Sequence, residues 1–143
     1  MARRATPRPA ANDESVAPSA PNVDRLAGPA LRTFFAIAEA WRLSNDEAMK
    51  LLGDPPRSTF YEWKRAGDGR LPRDTLERIS YVLGIYKALQ ILLPDPAIAD
   101  GWIRKPNAAP LFGGRSALDR LLSGNVGDLF VVRQYLDAVR GGG

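Results

Sequence analysis

The chain contains no cysteine, no histidine and only two methionines. Without thiols it can form no disulfide, offer no thiolate nucleophile and build no zinc finger. Without imidazole it lacks the side chain whose unperturbed charge changes between about pH 5 and 8. No run of about 18 apolar residues is present, so no spanning helix is expected. The basic opening MARRATPR is followed by polar residues rather than an apolar stretch, so no export signal is expected either. A cytoplasmic protein follows as the expectation, and the lack of cysteine is compatible with that reducing compartment. Strand signals are also scarce, because the β-branched residues recur at helical rather than alternating spacing.

Convergent catalytic groups are missing too. Asp119, Asp128 and Asp137 lie nine residues apart, which places each on a separate part of the final helices. Gly113-Gly114 lacks the lysine of a phosphate-binding loop. The expectation is a protein that is not an enzyme and carries no cofactor or metal.

What is present suits one compact core with a tail. Of 143 residues, 45% are hydrophobic, enough to bury a core alone or as a dimer. The net charge of +4 permits a polyanionic partner without demanding one. Residues 1–28, rich in Ala, Pro, Arg, Asn and Asp, show no period and are expected to be a disordered tail. Arg3, Arg4, Arg8 and Arg25 could touch phosphate there, but Asp13, Glu14 and Asp24 nearly balance them and favour a merely solvated segment.

From Pro29 the pattern turns helical. Leu31, Phe34, Phe35, Ala38 and Leu43 recur near i, i+3, i+4, i+7 spacing and mark a first helix. Ser44 stands three residues before Glu47, a capping-box arrangement that opens a second helix with Ala48, Leu51 and Leu52 inward. Gly53-Asp54-Pro55-Pro56 ends it. Ser58 is placed to cap a third helix, with Phe60 and Trp63 inward and Gly67-Asp68-Gly69 closing it. Past Pro72, Leu76, Ile79, Leu83, Tyr86, Leu89 and Leu93 mark one long helix, in which Gly84 costs roughly 1 kcal/mol relative to alanine. Pro94 and Pro96 break it. Then come a helical stretch at 97–104, a Pro/Gly-rich loop at 105–114, and helices near 116–122 and 126–139. The fold class is all-α, with a helix-turn-helix domain at 29–93 and a C-terminal helical domain at 94–143.

Two short helices around a tight Gly/Pro break, the second with a polar and basic outer face, suit a helix-turn-helix. Ser58, Thr59 and Tyr61 offer hydrogen bonds to phosphates or base edges, Arg57 sits where a helix start approaches the backbone, and Lys64 and Arg65 can neutralise phosphates. A helical bundle with a capped pair and a solvated basic face accounts for the same residues equally well. Glu62, in the middle of that face, argues for weak binding per monomer and for avidity from a homodimer.

The segment LLGDPPRSTFYEWK, with Leu52-Gly53 near one end and Trp63-Lys64 at the other, resembles the helix-turn-helix of Xre/MbcA/ParS-type antitoxins. The run from Arg78 to Leu89, then WIRKPN from Trp102 to Asn107, then Phe112-Gly113-Gly114-Arg115 with Leu118 and Leu122, is similar to that family's toxin-binding domain in order and spacing. The likeness covers roughly residues 44–140. It implies an antitoxin that occludes the active site of a RES-domain toxin that destroys NAD, and that binds its own promoter DNA. Within it, Trp102, Arg104, Lys105, Asn107, Phe112, Gly113, Gly114 and Arg115, with Arg140 near the C-terminal end, are the candidate toxin-binding residues. Trp102 and Phe112 are read first as anchors of the core; for the cations, packing and toxin contact weigh evenly. A free-standing dimeric transcription regulator, and a partner-binding module whose helix-turn-helix has lost DNA contact, remain as alternatives.

Overall fold

The computed structural model describes residues 19–67 and 70–141, with side chains from residue 27 onward. Arg3, Arg4 and Arg8 and the side chain of Arg25 lie outside them. Among the described residues seven α-helices follow one another: α1 (Ser19–Ala40), α2 (Asn45–Leu51), α3 (Arg57–Ala66), α4 (Arg73–Leu92), α5 (Pro96–Gly101), α6 (Ala117–Leu121) and α7 (Val126–Arg140). A single 3-10 turn, Trp102–Arg104, continues α5. Among the described residues there is no named strand, and the one β-bridge joins Pro106 to Ser116. No described helix is long and apolar enough to cross a membrane.

α1 begins at Ser19, ten residues before the start expected at Pro29, and carries Pro29 in its interior. The stretch 19–28, expected as tail, thus overlaps the first ten residues of α1. Ala27 and Leu31 are fully buried on either side of that proline, so tertiary burial outweighs the cost of one missing backbone donor. α1 ends earlier than Leu43: Arg42 takes φ +57, and the Leu43 N–H bonds back to the Ala38 carbonyl at 2.9 Å, a left-handed closure of the last turn.

The capping box of α2 is formed as expected. Ser44 Oγ accepts from the Glu47 N–H at 3.1 Å, and Glu47 Oε1 accepts from the Ser44 N–H at 2.9 Å. Gly53 closes the helix at φ +92, a conformation that favours glycine, and a Cβ there would also crowd Arg78 Nε at 3.0 Å. α3 does not start on Ser58. Its N-cap is Pro56, which makes no side-chain cap, and Ser58 lies inside the first turn. Proline's fixed φ suits a residue entering a helix, and that geometry replaces the hydroxyl cap.

The inner face of α4 differs from the single stripe read from sequence. Ile79, Val82, Ile85, Ala88 and Leu89 are buried with Thr75 and Arg78, while Leu76, Leu83 and Tyr86 are only partly buried. The reason is that α4 packs on α1, α5 and α7 together, so burial spreads around its circumference. Tyr81 meets Phe130, and Gly84 lies beneath Arg133, so α4 and α7 run side by side in the same direction. Gly84 thereby gains a physical reason: the Arg133 guanidinium lies directly over the helix backbone where a side chain would stand. One contiguous core joins Phe34 of α1, Trp41 in the turn after it, Phe60 and Trp63 of α3, the α4 residues, and Ile103, Phe112, Leu121, Leu129 and Val132.

Candidate nucleic-acid and toxin interfaces

α3 buries Phe60 and Trp63 and turns Arg57, Ser58, Tyr61, Glu62, Lys64 and Arg65 outward; Thr59 is half-buried rather than free. The aromatic pair therefore fixes which face of α3 solvent sees. That face is tied to the start of α2. Arg57 donates to the Asp46 carboxylate at 3.0 Å, and this carboxylate raises the guanidinium's already high hold on its proton. Lys64 Nζ donates to Asn45 Oδ1 at 2.7 Å, and Tyr61 receives Asn45 Nδ2 at 3.3 Å and Arg57 Nη1 at 3.4 Å. Glu62 is not an isolated negative charge: Arg65 donates to it at 2.7 Å. The charge of Glu62 is offset locally, since its partner sits one turn away on the same exposed face.

The C-terminal candidates divide in two. Trp102, Phe112 and Tyr135 form an edge-to-face series, with centroids 5.9 and 5.4 Å apart, and Phe112 is buried. These aromatics anchor the loop from within. Arg104 is likewise turned inward toward the chain. Its guanidinium donates to the Trp41 carbonyl at 3.2 and 3.0 Å and to the Arg42 carbonyl at 2.8 Å, and lies 3.5 Å from Glu47 Oε1. A cation thus sits on the carbonyl end of α1, where the helix dipole is negative, and touches the capping glutamate of α2.

Lys105, Gly113, Gly114 and Arg115 are exposed. The loop that carries them is closed rather than loose. The Asn107 N–H donates to the Arg115 carbonyl and the Gly114 N–H to the Asn107 carbonyl, both at 2.9 Å, and Asn107 Oδ1 caps Ala109. Asn107 therefore builds the loop rather than reaching out from it. Gly113 and Gly114 take φ +59 and +85 with open space around them, so their role is the tight turn at the tip. Arg140 is exposed in the last turn of α7.

Three structural arginines were not singled out by the sequence reading. Arg78 is buried and bonds Asp74 at 2.9 Å and the Gly124 carbonyl at 3.0 Å, joining α4 to the turn before α7. Arg120 bonds the Leu111 carbonyl at 2.9 Å and pairs with Asp128 at 2.9 Å. Arg133 pairs with Asp137 at 3.2 Å. The i, i+4 spacings of Asp74 with Arg78 and Arg133 with Asp137 were readable signals; the carbonyl partners were not.

Residues 23–84 match the antitoxin Xre-like helix-turn-helix domain, and residues 88–142 match the antitoxin Xre/MbcA/ParS C-terminal toxin-binding domain. The chain belongs to the Xre/MbcA/ParS antitoxins. The two matches meet inside α4, the helix that packs against both halves, with 85–87 between them. An uncharacterized protein of Sinorhizobium fredii, y4oB, is 55% identical over 130 residues, which is 90% of this chain and 98% of that one. The chain thus pairs an antitoxin helix-turn-helix domain with a toxin-binding domain. Such antitoxins are regulatory rather than catalytic.

Proposed function

We propose that this antitoxin neutralises a RES-domain toxin that degrades NAD by occluding the toxin's active site, and that a homodimer represses the operon through α3. The observation that carries the first half is the closed loop at 105–116, which holds Lys105 and Arg115 outward on a rigid base of Trp102, Phe112 and Tyr135. A pocket built for a dinucleotide pyrophosphate presents groups that such cations engage. Arg140 at the end of α7 serves the same surface. Arg104 has a different part, since its guanidinium is occupied by α1. Domain limits of 29–93 and 94–143 describe these two tasks. The protein acts in the cytoplasm, without a cofactor and without catalysis of its own.

Nothing favours the free-standing regulator, because the helices it would use for ligand or dimer contacts match a toxin-binding domain. The test is co-expression with the neighbouring gene product, read by NAD content and growth. Wild-type chain should preserve NAD, and the double variant Lys105→Glu/Arg115→Glu should release toxicity while melting at the wild-type temperature. Full neutralisation by that variant would remove the loop from the interface. A neighbouring product that neither binds the chain nor consumes NAD would end the RES reading.

A further inference from the structure

The outer face of α3 contains a small network whose hydrogen-bond directions are forced. Lys64 Nζ lies 2.7 Å from the Asn45 side chain and can only donate, so the amide oxygen of Asn45 must face it. The amide nitrogen of Asn45 then faces the phenol oxygen of Tyr61 at 3.3 Å. On the other side Arg57 Nη1, also a donor and nothing else, lies 3.4 Å from the same oxygen. Both contacts are long, and what matters is their sense. Two neighbours that present only donors face the Tyr61 oxygen, and its own proton finds no acceptor in either. Tyr61 is 41% exposed, so that proton is directed away from the protein.

We propose that Tyr61 is an obligate hydrogen-bond donor toward DNA and that Asn45, which makes it so, is a positioning residue for recognition. An unconstrained tyrosine accepts from the amino groups of cytosine and adenine as readily as it donates to guanine N7 or O6, thymine O4 or a phosphate oxygen. Held between Asn45 and Arg57, Tyr61 engages only acceptors of DNA and penalises an amino group placed against it. The proposal rests on DNA binding through α3.

It is tested with full-length chain and a duplex covering the region immediately upstream of its own reading frame. Tyr61→Phe keeps the ring and removes the proton, and should weaken binding about three- to tenfold. Asn45→Asp keeps an oxygen for Lys64 but replaces the donor with an acceptor, so Tyr61 turns its proton inward. In that background Tyr61→Phe should change affinity by less than about twofold, whatever the added charge does to binding as a whole. A loss equal on every duplex assigns the acceptor to a phosphate, and a loss confined to duplexes retaining one base pair assigns it to a base edge; both sustain the proposal. Unchanged binding of Tyr61→Phe overturns it, as does an equal Tyr61→Phe cost in both backgrounds, which would deny Asn45 its part. A wild-type chain that binds no upstream duplex in a salt-dependent way fails the DNA reading itself and takes the proposal with it.

Discussion

Arg104 was read as a charge for the toxin, and its position shows how much a side chain's role depends on reach. Its planar fork spans two carbonyls of the α1 terminus at once, which a lysine ammonium does not reproduce. Arg104→Ala should lower unfolding stability by about 1.5–3 kcal/mol, the range for bonds from a charged donor, and Arg104→Lys should recover only part of it. Chemical denaturation of the two variants checks this. Tyr81 supports a second measurement. Glu77 accepts from its hydroxyl at 3.0 Å, and that bond, reinforced by burial, holds the phenol above the usual tyrosine value. A raised folded value means the protonated phenol favours folding. The contribution is complete below about pH 10 and is lost as pH rises through the folded value. Ultraviolet titration of the four tyrosines should therefore show a late component that Glu77→Gln moves to lower pH.

At the scale of elements, the signals that were legible are those in which both partners lie within one turn. The Ser44 and Glu47 capping box, the Gly53 stop and the Gly67 stop, at φ +69, follow from local backbone donors and carbonyls and were readable directly. Ser44→Ala should cost about 1 kcal/mol, read as a shift of the denaturation midpoint at unchanged slope. Elements that depend on partners far along the chain were misread. The entry into α1 was set by burial of Ala27 and Leu31 rather than by the proline between them, while Ser58, a local misreading, lost the cap to Pro56 two residues earlier. Gly84 shows both sides of this. Alanine there gains about 1 kcal/mol of helix propensity, while the guanidinium it displaces forfeits an exposed ion pair with Asp137 worth about 0.3–0.5 kcal/mol. The helix term wins, because the atom displaced is the mobile end of a side chain. Gly84→Ala should be stabilising by about half a kcal/mol, and a lower melting temperature would show that Arg133 bears more of the α4 to α7 contact than its exposure suggests.

For the whole molecule, α4 decides the architecture. It lies against α1 on one side and α7 on another, so the DNA-binding and toxin-binding halves share a single hydrophobic core. A fragment ending at residue 93 would expose α4 residues that α7 covers. It should lack the cooperative thermal transition of the full chain, and an independently melting fragment would refute the shared core. Leu129→Ala, deep in α7, should cost about 3 kcal/mol and lower DNA affinity and toxin binding together, because both surfaces hang on one folding unit.

Helical class, the positions of most helix ends and the polar outer face of α3 were determined by the sequence alone, because they depend on periodicity and on caps a few residues apart. The family was legible as well, through the ordered motifs at 51–64, 78–89 and 102–115. Only the tertiary structure decided which arginines are engaged by backbone carbonyls. Arg104 and Arg78 read like any other basic residue, and backbone carbonyls 62 and 46 positions away fixed their roles. The same holds for Glu62 and Tyr61, whose chemistry depends on where neighbouring side chains place their donors.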